Sequence, residues 1–200
     1  MQEKYFIGIS LPKNIANQID EWRKKYYFNG YKIVPAHITL VPPFMLSEKE
    51  EVLSKIINQK IKCVKSFDLI IESFGSFTGQ HSVFFANIKP SPDITLLHAS
   101  LLTPVQAISR SFIPTYTTYI PHITIANRLS HGRLKAIQDE MIGQKFSPTF
   151  NVSEIILYKR TNNSPYFPVR QYTLDKVDIL RYHPKADLRN GQSEINQSSA

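Results

Sequence analysis

Pro35-Ala36-His37-Ile38-Thr39-Leu40 and Pro121-His122-Ile123-Thr124-Ile125 are one short strand written twice. Side chains alternate faces along a strand. His37 and Thr39 therefore share one face and Ile38 and Leu40 the other, and His122 and Thr124 stand against Ile123 and Ile125 in the same way. The apolar pair anchors each strand in a core; the polar pair is presented on the opposite face. Six histidines and eleven threonines in 200 residues give about 0.3 His-x-Thr pairs by chance. Two pairs, each flanked by hydrophobic x residues, point to an internal duplication.

Working outward, the duplication extends to most of the chain. Tyr5-Phe6-Ile7-Gly8-Ile9-Ser10-Leu11-Pro12 and Val83-Phe84-Phe85-Ala86-Asn87-Ile88-Lys89-Pro90 both read as strands halted by proline, with Phe6 matching Phe84 and Gly8 matching Ala86. Each leads into a helix, over 14–26 and 92–109, then a loop and a motif strand. Ser47 and Ser130 follow as N-caps of amphipathic helices over 48–61 and 131–143. Strands at 67–77 and 83–90 complete the first half, and strands at 150–159 and 167–174 the second. The turns Thr78-Gly79-Gln80 and Asn162-Asn163-Ser164 have hairpin chemistry. The expected fold is α+β and bilobal: two pseudo-twofold-related sheet-plus-helix lobes flanking a central cleft that both motif strands face. Residues 1–183 are expected to form one such domain and 184–200 a polar C-terminal tail.

Hydrophobic residues make up 42% of the chain, enough for a packed core. A single cysteine, Cys63, excludes an internal disulfide and fits a reducing compartment. The apolar run over 5–11 is too short for a secretory signal, and no stretch reaches the ~18 apolar residues that span a bilayer. A cytoplasmic, monomeric protein without membrane attachment is expected. The formal net charge of +8 favours anionic partners. Its distribution is more informative: no Asp or Glu occurs from Trp22 to Ser47 or from Ile94 to Gln138, and each of these basic stretches holds one motif. A site for an anion excludes carboxylates, which would repel the ligand.

A threonine about 7 Å along the strand from its histidine can hold a phosphate oxygen while the imidazole reaches the attacking or departing one. Two such strands related by symmetry place imidazoles on either side of one phosphorus, one as base and one as acid. Imidazole titrates near neutrality and suits both roles. Zinc would call for Cys, Asp or Glu beside the histidines, and no P-loop, dinucleotide fingerprint or nucleophile elbow is present. Neither metal nor cofactor is expected. His81, His98, His131 and His183 are read as turn, helix or tail residues without an essential role.

These motifs resemble those of the two-histidine phosphoesterases, in particular the bacterial 2′,5′-RNA ligase-like / cyclic phosphodiesterase group. The opening Phe-Ile-Gly-Ile-Ser-Leu-Pro strand and Pro-Ala-His-Ile-Thr-Leu-Val-Pro-Pro-Phe are similar to that group, and the resemblance covers residues 4–174. It implies the bilobal fold and hydrolysis of 2′,3′-cyclic phosphates of RNA ends or nucleotides to 2′-phosphates, with reversible 2′,5′ ligation in some members. It carries His37 and His122 over as the acid–base pair, with His122 favoured as base, and Thr39 and Thr124 as phosphate binders. Phe6, Phe84, Tyr119 and Arg170 are candidate base-stacking or cleft residues. The alternative is a non-catalytic module that holds RNA or nucleotide phosphate without turning it over.

Overall fold

The structure, a computed structural model, describes residues 2–27, 32–111 and 118–175. The expected tail from residue 184, and His183, lie outside them. The elements run β1 (Glu3–Ser10), α1 (Lys13–Tyr26), β2 (His37–Phe44), α2 (Glu50–Ile61), β3 (Phe67–Phe77), β4 (Ser82–Ile88), α3 (Pro92–Ala107), β5 (His122–Leu129), α4 (His131–Met141), β6 (Thr149–Val152), β7 (Glu154–Thr161) and β8 (Phe167–Thr173).

The strands form an antiparallel sheet in the order β6-β3-β4-β5-β2-β1-β7-β8. The pseudo-twofold axis passes between β5 and β2, so the two motif strands are neighbours at the centre. The lobes are therefore β2-β1-β7-β8 and β5-β4-β3-β6. Each mixes the two sequence repeats: the β3–β4 hairpin lies beside β5, and the β7–β8 hairpin beside β1. The segment expected as one strand over 150–159 is two. β6 pairs with β3 and β7 with β1, and Ser153 alone separates them. Residues two apart are within about 7 Å, so the sheet must curl until its two ends meet at this point.

The helices tie the lobes together across the axis. α1 packs on β5 and α3 on β2, while α2 lies against α3 and α4 against β4. The buried stripe of α1 is Ile15, Ile19, Arg23 and Tyr26, and that of α3 includes Ile94, Leu97, Leu101 and Val105, both at the three-and-four spacing of one helix face. They meet Tyr5, Ile7 and Ile9 of β1, Ile38 and Leu40 of β2, and Ile123 and Ile125 of β5 in the main core. Ser130 caps α4, its hydroxyl accepting from the Arg133 amide. Ser47 does not cap α2. Its hydroxyl donates to the Ile108 carbonyl, and Lys49 takes the N-cap position.

Candidate functional site

β2 and β5 are joined at one residue pair, Ile38 with Ile123. In an antiparallel pair this sets His37 opposite Thr124 and Thr39 opposite His122, all four on the face away from the helices. Opposed residues have Cβ atoms about 4.5–5.5 Å apart and diagonal ones about 7–8 Å. The imidazoles thus stand on one diagonal and the hydroxyls on the other. Beyond this pair the strands diverge. Each motif strand also carries a bulge against its outer neighbour. Ile7 pairs with Val41 and Gly8 with Thr39, skipping Leu40. Phe84 pairs with Ala126 and Phe85 with Thr124, skipping Ile125. Bulges bend a strand and re-aim its side chains, and here two equivalent ones follow the two threonines.

The same backbone device orients both rings. Nδ1–H of His37 donates to the Pro35 carbonyl at 2.7 Å, and Nδ1–H of His122 to the Ile120 carbonyl at 2.7 Å. This fixes the tautomer, leaving Nε2 of each ring as the unprotonated, basic nitrogen. Nε2 of His37 accepts from the Thr39 hydroxyl at 3.1 Å. Burial depresses both pKa values: His37 falls to about 4, chiefly through desolvation with smaller contributions from the Arg23 and His122 charges, and His122 falls through desolvation. Desolvation penalises the imidazolium, whose charge the cleft does not solvate. Both rings are neutral in the empty site at pH 7.

Aromatic rings pack behind each imidazole. Phe6 lies 4.6 Å from the His37 ring and stacks on Tyr158 at 4.5 Å, with Tyr166 edge-on at 4.9 Å. Phe85 lies 4.9 Å from His122, and Phe77 meets the same ring edge-on at 5.1 Å. Gly75 makes room for Phe85: a Cβ there would sit 2.7 Å from the ring.

The other sequence candidates fall elsewhere. Phe6 is beside His37 but 2% exposed, so it backs the imidazole and offers no face to a base. Phe84 belongs to the main core. The bulge register makes Phe84 the mate of Ile7 and Phe85 the mate of Gly8, one residue off the sequence matching, and a one-residue slip reverses the faces. Tyr119 lies on the helix side of β2. It stacks on His98 at 3.8 Å and its hydroxyl donates to the Thr39 carbonyl at 2.9 Å, while Nδ1–H of His98 donates to the Leu40 carbonyl at 2.6 Å. The two therefore support β2 at its bulge from behind. Arg170 is on the outer strand β8 and donates to the Ser54 hydroxyl of α2, away from the cleft.

Sequence reasoning passed over Arg23 and Asn127, which line the cleft with His37 and Thr124. For Arg23 a signal existed: it falls four residues after Ile19 and eight after Ile15, an arginine on the apolar stripe of an amphipathic helix.

Two tautomer-locked imidazoles and two hydroxyls on paired His-x-Thr strands, in a pseudo-twofold sheet with outer helices, define a two-histidine phosphoesterase. Residues 11–164 match the family model of the 2′-5′ RNA ligase superfamily, and the chain belongs to that family. It is 30% identical over 165 residues to a proposed phosphoesterase of Bacillus pumilus, covering 80% of this chain and 92% of that one. It is also 30% identical over 128 residues to one of Bacillus licheniformis, covering 64% and 72%. Among solved structures it resembles E. coli LigT complexed with 3′-AMP, with a TM-score of 0.61 at 20% identity over 87% of this chain and 99% of that one. It also resembles TT0787 of Thermus thermophilus, with a TM-score of 0.58 at 20% identity over 86% and 98%. No helix of the described residues is long and apolar enough to cross a membrane.

Proposed function

We propose that the protein is a metal-independent phosphodiesterase that opens 2′,3′-cyclic phosphates of RNA ends or nucleotides to 2′-phosphates, with reversible 2′,5′ joining of RNA ends when a 5′-hydroxyl takes the place of the attacking water. The observation that carries this is the diagonal placement of two imidazoles, each with Nδ1–H committed to a carbonyl and Nε2 left as the unprotonated nitrogen. One imidazole takes a proton from water as its oxygen attacks phosphorus. The bond from phosphorus to the 3′ oxygen breaks, and the other imidazole gives that oxygen its proton. Thr39 and Thr124 hold the non-bridging oxygens. The base must be neutral and the acid charged, so one ring has to gain a proton from its neutral resting state. An entering phosphate supplies the negative charge that raises an imidazole pKa. The pseudo-symmetric site accommodates either order: the family resemblance favours His122 as base, whereas the Arg23 charge beside His37 favours His37. The complex of E. coli LigT with 3′-AMP supports a nucleotide as the ligand class.

The test is turnover of a 2′,3′-cyclic nucleotide in the presence of EDTA. His37→Ala and His122→Ala should each lower kcat by ~10²–10⁴, the range for general acid or base catalysis. The double variant should cost far less than the product, because the two groups act as a unit. Near-normal turnover in either single variant with the fold intact would leave a phosphate-binding module instead. Loss of activity in EDTA, restored by a divalent ion, would remove the metal-independent mechanism.

A further inference from the structure

Where the start of β2 has separated from the far half of β5, α1 closes the wedge. The cavity there measures about 150 Å³ and is lined by Arg23, Tyr27, Ala36, His37, Thr124 and Asn127 among others. At ~30 Å³ per water molecule it has room for roughly five waters, enough for a phosphate with its oxygens but not for a nucleoside. Its polar side chains are a guanidinium, an imidazole, an amide and the hydroxyls of Tyr27 and Thr124; none of the described lining residues is a carboxylate.

Arg23 is the unusual member of this wall. It is 2% exposed. Nη1 donates to Asp20 at 2.7 Å and Nη2 to the Val34 carbonyl at 2.6 Å. Nε is buried without an acceptor. A guanidinium has five N–H donors, so these bonds leave it unsaturated. Its carboxylate partner, Asp20, is 34% exposed and is therefore screened by solvent. Burying a cation against one screened partner is costly, and a second anion in the cavity would balance it.

We propose that Arg23 is the anion anchor of the cleft. With the Thr124 hydroxyl and the Asn127 amide it takes the non-bridging oxygens of the substrate phosphate at the wedge end, while the two Nε2 atoms address the bridging and attacking oxygens. The planar fork of arginine suits this, since it meets two phosphate oxygens at once. The bond to Val34 adds a second consequence: Arg23 holds the segment whose next carbonyl, that of Pro35, sets the His37 tautomer. The proposal rests on the phosphodiesterase reading for the identity of the site, but its test does not need turnover.

The test is binding of inorganic phosphate at pH 7, followed by calorimetry or phosphorus NMR. Arg23→Met should weaken binding about ten- to a hundredfold, the scale of a lost charge-assisted bond. Arg23→Lys should recover part of it, keeping the charge without the fork. Asp20→Asn removes the competing carboxylate and should tighten binding several-fold, whereas a merely space-filling Arg23 would give no gain. Unchanged affinity in Arg23→Met overturns the proposal. If Arg23→Met does not fold, Asp20→Asn decides alone: tightening supports the anchor, and unchanged or weaker binding overturns it. Turnover of a 2′,3′-cyclic nucleotide by the unaltered protein separates the two readings. Arg23-dependent binding without turnover keeps the anchor and removes the phosphodiesterase; turnover with binding indifferent to Arg23 does the reverse.

Discussion

Replacing His37 with asparagine should make the protein more resistant to acid. The imidazole pKa is depressed in the fold to about 4 from an ordinary 6.5, mainly by desolvation. The unfolded chain therefore takes up the proton at higher pH than the folded one. The stability linked to His37 is fully present above pH 6.5 and is lost as pH falls from there towards 4. Between pH 7 and pH 5 the loss comes to about 2 kcal/mol by linkage. This is an upper bound, because one edge of the ring opens on the cleft. Asparagine does not titrate, and its side-chain amide can still donate to the Pro35 carbonyl. His98 and His122, also depressed by burial, titrate in both proteins, so their effect largely cancels in the comparison. Urea unfolding of both proteins at pH 7 and pH 5 measures the gap. The variant should lose about 2 kcal/mol less than the natural protein, on the order of 4–8 °C in Tm for a domain of this size. Equal losses would show that the cleft does not hold His37 neutral, and would remove the account of Nε2 as a ready base.

Two further outcomes follow from the same geometry. Because kcat/KM reports the free enzyme and kcat the complex, and an entering anion opposes the depression of both histidines, the optimum for kcat/KM should lie at lower pH than that for kcat; coincident optima would refute this. Gly8→Ala should lower both stability and kcat, because its Cβ would meet the Ile38 carbonyl at 2.9 Å and His37 Cδ2 at 3.3 Å, whereas Gly79→Ala, with nothing within 4 Å, should change neither; normal kcat in Gly8→Ala would show that β2 tolerates displacement.

The alternation in His-Ile-Thr-Leu and His-Ile-Thr-Ile made the two central strands legible, because period-two patterning reports which face is buried. The helices were legible to within a few residues from apolar residues at three-and-four spacing. What the sequence did not disclose depends on non-local pairing. Phe6 and Phe84 look equivalent by chain matching, yet only the bulge register reveals that Phe85 faces His122 while Phe84 faces the core. The split of the segment over 150–159 follows from sheet curvature, which no local pattern encodes. Tyr119 and Arg170 were plausible cleft residues by chain position. The first points to the helix side of β2 and the second to α2, and both directions are set by tertiary packing.

The chemistry of the site follows from an incomplete strand pairing. A full ladder between β2 and β5 would close the sheet at its centre and leave no wedge. A single pair, Ile38 with Ile123, still brings two histidines and two threonines onto one face, while the separated strand segments leave openings on both sides of it. These openings are filled differently. On the Thr39 side, Tyr119 and His98 donate to backbone carbonyls and make a neutral, rigid support. On the Thr124 side, Arg23 brings a buried charge next to His37. The duplicated backbone thus supplies two equivalent imidazoles, and the fillers make them unequal among the described residues: the Arg23 charge acts on His37. In the proposed reaction the bound substrate decides which ring faces water and which the departing oxygen, and the Arg23 charge, which disfavours the imidazolium, adds a bias towards His37 as the base.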